Sequence, residues 1–250
     1  MCGTAEANSA EHRLKKSDVI RAYGRGSYKG KFMPIHIRKG ISSDIQGANS
    51  EILKYEKTIC HRCNTTTSQP FDRAYDIFID WVLKNESDIL KYRFINFAKV
   101  FGSDFEKSQR NLYKYFAKSF GCRVISSGLK IPEDVVELLD KNEFQTGLRI
   151  TFAVNEDILL MSANDRDSFI GKADLFKMVL RNNPEQITGY IWNEYVSWFT
   201  TYYWYDEQPS GDLGSTWIAD SQHIYLGSFQ PLSPEIRVEF LKNQTDFEAI

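Results

Sequence analysis

Two cysteines three apart, in Cys60-His61-Arg62-Cys63-Asn64, put both thiols on one side of a tight turn, where they can share one tetrahedral ion. Zinc holds thiolates at about 2.3 Å and takes four ligands, so a closed site needs two more groups. Cys2 is the obvious third. The competing reading is a pair of ordinary buried cysteines, and Cys2 tips the balance towards a metal.

The rest of the chain must position that turn. Charge is unevenly spread: residues 1–70 carry 12 Lys/Arg against 6 Asp/Glu, and the remainder 19 against 27, which gives the net −2. From His12 to Lys39 nine basic side chains meet a single acid, Asp18. A basic field of this kind favours a polyanion such as nucleic acid, although a charge run alone is more often a solvated face. With 42% hydrophobic and 14% aromatic residues, a chain of 250 can bury a sizeable core. It contains no apolar run of about 18 residues, so no membrane span is expected. Met1 to Glu6 lacks the basic and apolar regions of a signal peptide, and four cysteines suit a reducing compartment, so the chain reads as cytoplasmic.

No internal repeat is present, and the first seventy residues show little apolar periodicity, as in modules where a metal replaces a core. Tyr23-Gly24-Arg25-Gly26-Ser27-Tyr28-Lys29-Gly30-Lys31 reads as a basic loop or hairpin; its glycine spacing fits neither nucleotide-binding fingerprint. Pro70 starts a helix that Phe71, Tyr75, Phe78, Ile79, Val82 and Leu83 make amphipathic. Ser103 to Glu106 opens a second helix ending at Gly121, and Ile131-Pro132-Glu133-Asp134 opens a third. Strands follow at 147–154, 158–162, 189–205 and 215–226, with a turn at Pro209 to Asp212. In the aromatic run from Tyr190 to Tyr205, Val196, Trp198, Tyr202 and Trp204 share one expected face, and Tyr195, Phe199, Tyr203 and Tyr205 the other. With little positive charge nearby, that run reads as core rather than as a platform for bases, and Cys122 as a small buried hydrophobe. The fold class is α+β: an N-terminal metal module over 1–80, then a helical middle and a mostly antiparallel C-terminal sheet over 81–250.

The order Cys2-Gly3, then Glu11-His12, then C-x-x-C-N running into the helix at Gln69-Pro70-Phe71-Asp72 resembles the HNH endonuclease family over about residues 1–80. The resemblance implies a ββα-metal fold with a structural Zn2+, held here by Cys2, Cys60 and Cys63. It makes His12 the general base that activates water, a task its ordinary pKa near ~6.5 suits. Glu11 becomes a metal ligand or the group that orients His12, and Asp72 takes the last ligand position. A catalytic Mg2+, Mn2+ or Ni2+ stabilises charge at the phosphate, and Lys15, Lys16, Arg21 and Arg25 grip the DNA backbone. The implied activity is hydrolysis of DNA phosphodiester bonds. The competing class is a zinc-stapled module that binds nucleic acid or a protein without cutting, with the C-terminal region as a protein-docking surface.

The sequence departs from the family pattern in three places. The partner of Cys2 is expected upstream of Met1, with His12, His61 or Cys122 as substitutes. About 47 residues separate His12 from Cys60, so an insertion must fold out. The middle Asn of the motif is matched only by Asn49. Each site residue also has a plainer role: His12 as a structural histidine or zinc ligand, Asp72 as a complement to the helix dipole. His61 reads as a surface group, and His36 and His223 as structural.

Overall fold

A computed structural model describes residues 6–30, 34–38, 40–208 and 216–239. It is α+β, with helices packed on a mainly antiparallel sheet. Strand β1 (Ser9–His12) comes first, then helix α1 (Lys16–Tyr23) and a hairpin of β2 (Ile35–Arg38) and β3 (Ile41–Asp44). Strand β4 (Lys54–Ile59) returns antiparallel to β1, pairing Ser9 with Ile59, Ala10 with Lys57 and His12 with Lys54. Everything between His12 and Lys54 is therefore an insertion in a two-stranded unit. It holds itself together with a small core of Val19, Tyr28, Ile45, Ala48 and Leu53, so this region does have apolar packing of its own.

After β4 the chain passes the Cys60–Cys63 turn and one π-helical turn, Cys63–Thr67, into α2 (Gln69–Lys84). Pro70 sits in its first turn, where a missing N–H costs nothing. Phe71, Ala74, Tyr75, Phe78, Ile79 and Val82 form its buried face. These residues belong to the large core that runs on through the C-terminal sheet, so the expected boundary at residue 80 falls inside a helix shared by both regions.

Helix α3 (Glu86–Tyr92), strand β5 (Phe94–Asn96) and helix α4 (Phe97–Phe101) lead to α5 (Phe105–Ser126), the 22-residue helix at the centre of the molecule. The expected end at Gly121 is corrected: α5 runs through it. Gly121 packs closely on Ile131, whose Cδ1 would lie 2.5 Å from a Cβ there and would have to turn aside. The turn that ends the helix is closed by Gly128 at φ 74°. Helix α6 (Glu133–Lys141) starts after Pro132 as expected.

Strand β6 (Leu148–Asn155) follows, but 158–162 is not a strand: Ile158–Leu160 is a short 3-10 turn, whose Asp157 and Ile158 N–H groups donate to Asn155. Helix α7 (Ala163–Asp167) then precedes β7 (Ile170–Lys172), β8 (Phe176–Leu180), β9 (Asn183–Val196) and β10 (Phe199–Asp206). The single strand expected over 189–205 is thus two, folded back at Ser197 in the left-handed region (φ 53°). The fold-back changes the expected faces. Tyr190, Trp192 and Val196 now lie on the buried side with Phe199, Tyr203 and Tyr205, while Trp204 faces out. Trp192 and Tyr203 are cross-strand partners with ring centroids 4.4 Å apart, and Phe152 of β6 meets Phe78 of α2 at 5.3 Å. Each fully buried aromatic contributes about 1.5–3 kcal/mol, so this run is core, as its pattern suggested.

The sheet has order β12-β6-β10-β9-β7, with β8 also on β9 and with β12 (Gly227–Phe229) parallel to β6. Of the last expected strand, Trp217 only bridges Ile150, and β11 (His223–Tyr225) pairs with β5 instead of joining the sheet. The expected turn at Pro209 to Asp212 lies outside the described residues. No helix among the described residues is long and apolar enough to cross a membrane.

Candidate functional site

The β1–β4 pair leads through the Cys60–Cys63 turn into α2, and the turn is tied back to β1. Asn64 is the pin. Its side-chain Nδ2 donates to Ser9 Oγ at 2.9 Å and to the Ala10 carbonyl at 3.2 Å, tying the turn after Cys63 to β1. The Cys63 N–H donates to Cys60 Sγ at 3.4 Å, closing the turn. Both cysteines are buried. The C-x-x-C spacing is that of half a zinc site. Cys2 lies outside the described residues, and among the described residues no group of three or more His, Cys, Asp and Glu forms a metal-ligand set. His12, His61 and Cys122 are therefore not gathered with Cys60 and Cys63. Cys122 sits buried on α5, where burial pushes its thiol up to about 11.

Glu11 and Asp72 do converge, and what joins them is a lysine. Lys118, on α5, places Nζ 3.1 Å from Glu11 Oε2 and 3.0 and 3.2 Å from the two Asp72 oxygens. Its side chain is 2% exposed. Burial works against this ammonium, but Glu11 and Asp72 outweigh it and hold its pKa above the ordinary lysine value. Lys15 supplies a second cation, 3.0 Å from Asp72 Oδ1. Burial alone would raise the Asp72 pKa; Lys118 and Lys15 reverse that and lower it. The Ser68 hydroxyl, 3.2 Å from Asp72 Oδ2, completes the cluster. Glu11 and Asp72 are thus both engaged by ammonium groups, with Lys15 also 3.8 Å from Asp76. As arranged, the pair does not fit a divalent ion.

His12 sits half-buried at the end of β1, opposite Lys54. Burial lowers its pKa, Glu11 pulls it back up, and Lys54, Lys16 and Lys15 push it down again. With its pKa held below the ordinary imidazole value the ring favours the neutral form, and its buried Nδ1 has no hydrogen-bond partner among the described residues. Asn49 is exposed on the turn before β4.

The basic residues divide into two groups. Asp72, Asp76 and Asp80, spaced four apart, form a stripe along α2. From α1 and its approach, Lys15 reaches Asp72, the Ser17 hydroxyl donates to Asp76 at 2.6 Å, and Arg21 pairs with Asp80 at 2.6 Å and also with Asp18. Lys15 and Arg21 are thus spent on docking the insertion. Lys16 and Arg25 are exposed, as are Lys29, Lys57 and Arg62. Sequence reasoning missed Lys118 and the acid stripe; the four-residue spacing of the aspartates was the one available signal.

A separate concavity of about 500 Å³ lies between the β2–β3 hairpin and β7, lined by Tyr23, His36, Tyr55, Arg123 and Lys172 among others. None of the residues singled out for chemistry lines it. His223 is exposed on β11, its ring 6.1 Å from that of Phe94. No protein-family model, curated protein or solved structure matches this chain.

Proposed function

We propose that residues 6–84 act as an HNH-like ββα module that binds the phosphodiester backbone of DNA, stapled by Zn2+ at Cys60 and Cys63. The observation that carries this reading is the split among the cations. Lys15 and Arg21 are consumed by α2, whereas Lys16, Arg25 and Lys29 on the insertion, and Lys57 and Arg62 on β4 and the turn after it, stand in water. Exposed cations on such a unit suit phosphate contacts, whose strength depends on released counterions. The carboxylates that the family resemblance offers to a metal are already balanced, so binding is favoured over metal-dependent cutting.

Fluorescence anisotropy with a labelled duplex tests this. Lys16→Ala with Arg25→Ala weakens binding and flattens the slope of log K against log salt by about 2, since each lost phosphate contact removes about 0.9. Unchanged affinity and slope in that double variant would remove the support for the reading.

A second reading, hydrolysis with His12 as general base, is favoured by one observation: burial and three nearby lysines keep its imidazole neutral and able to accept a proton. It predicts duplex nicking that His12→Ala abolishes without loss of duplex affinity. An absence of nicking in the wild-type chain leaves binding as the sole activity.

A further inference from the structure

We infer that Lys118 is the resident cation of the ββα unit, and that it closes the Glu11–Asp72 pair to divalent ions. Its nitrogen lies 3.1 Å from a Glu11 oxygen and 3.0 Å from an Asp72 oxygen, between the two groups that a bridging ion would hold. The side chain is almost completely buried, so the ammonium cannot swing into solvent without unpacking α5 from α2. Lys118 Nζ also lies 5.7 Å from the Tyr115 ring centre, and Lys15 Nζ lies 5.2 Å from it, so both cations are near one aromatic ring. A divalent ion entering beside these ammonium groups would meet strong repulsion in a site with little water. Unlike a bound metal, the lysine is part of the chain and cannot be chelated away. Its helix belongs to the C-terminal region, so that region completes the charge balance of the N-terminal unit.

The inference rests on the HNH-like reading only for the expectation that an ion would sit between these carboxylates. Its test therefore uses no nucleic acid. Mn2+ is titrated into the full chain, and free Mn2+ is followed by electron paramagnetic resonance. Lys118→Ala binds one Mn2+ at least about tenfold more tightly than wild type, because one of the two repelling ammonium groups is gone, Glu11 is released and Asp72 keeps only Lys15. Adding Glu11→Gln to that variant removes the gain. Equal Mn2+ affinity in wild type and Lys118→Ala, whether tight or weak, overturns the inference. Should Lys118→Ala fail to fold, wild type is compared with Glu11→Gln. Indistinguishable weak Mn2+ binding by the two supports a closed site, and Mn2+ binding by wild type that Glu11→Gln abolishes overturns it.

Discussion

Lys118 and Asp72 form a two-point ion pair, Nζ lying 3.0 Å from one carboxylate oxygen and 3.2 Å from the other, across 46 residues of chain. The pair joins the first turn of α2 to the middle of α5 at the point where β1 delivers Glu11. Both acids at this point are thereby paired within the fold, Asp72 by Lys118 and Lys15 and Glu11 by Lys118.

Asp18 gives the fold a pH dependence of its own. Burial pushes its carboxyl up, Arg21 and the Tyr75 hydroxyl only partly offset that, and its pKa reaches about 6. The Tyr75 hydroxyl donates to Asp18 at 2.8 Å, while Glu194 adds repulsion and Lys15 a weaker attraction. An unfolded Asp releases its proton near pH ~3.9. Between these values the folded chain binds more protons than the unfolded one, so stability falls as pH rises from about 4 to about 6. The loss from this group is of the order of 2–3 kcal/mol. Urea denaturation at pH 4, 5 and 6 measures the slope, and Asp18→Asn flattens it. A slope that persists in Asp18→Asn assigns the dependence to other groups.

Asn64 is expected to hold β1 in register. Removing its side chain breaks the bonds to Ser9 and Ala10 and leaves the Ala10 carbonyl short of a partner, a cost of about 1–2 kcal/mol. Because only a short, irregular ladder otherwise joins β1 to β4, the loss is local. In Asn64→Ala, amide hydrogen exchange speeds up across Ser9–His12 and β4, while β6, β9 and β10 keep their protection. Uniform loss of protection would show that Asn64 supports the whole fold and not this strand.

Much of the architecture was legible in the sequence because it rests on local signals. Pro70 and the helical spacing from Phe71 to Val82 announced α2, and Pro132 announced α6. The errors arose where a residue's local preference serves a distant contact. Gly121 looks like a helix end but lies inside α5, where Ile131 packs against it. Ser197 and Trp198 form a tight reversal without glycine or proline, so one strand was read where two exist. The candidate site shows the same limit. Glu11, His12 and the Cys60–Cys63 turn were visible as motifs, but the partner of Glu11 and Asp72 sits mid-helix at Lys118, with no linear spacing to mark it. A run of basic residues likewise cannot show which members are already paired; α2 had to be in place before Lys15 and Arg21 could be separated from Lys16 and Arg25.

The central claim is a DNA-binding ββα module whose carboxylates need no divalent ion. Duplex affinity measured across a salt series, with magnesium and manganese first absent and then added, tests it most directly. The account predicts binding in the absence of both ions, a linear fall of log K with log salt, and no gain beyond the ionic-strength effect when Mn2+ is supplied. Binding that appears only with Mn2+, or no binding at low salt, would contradict it.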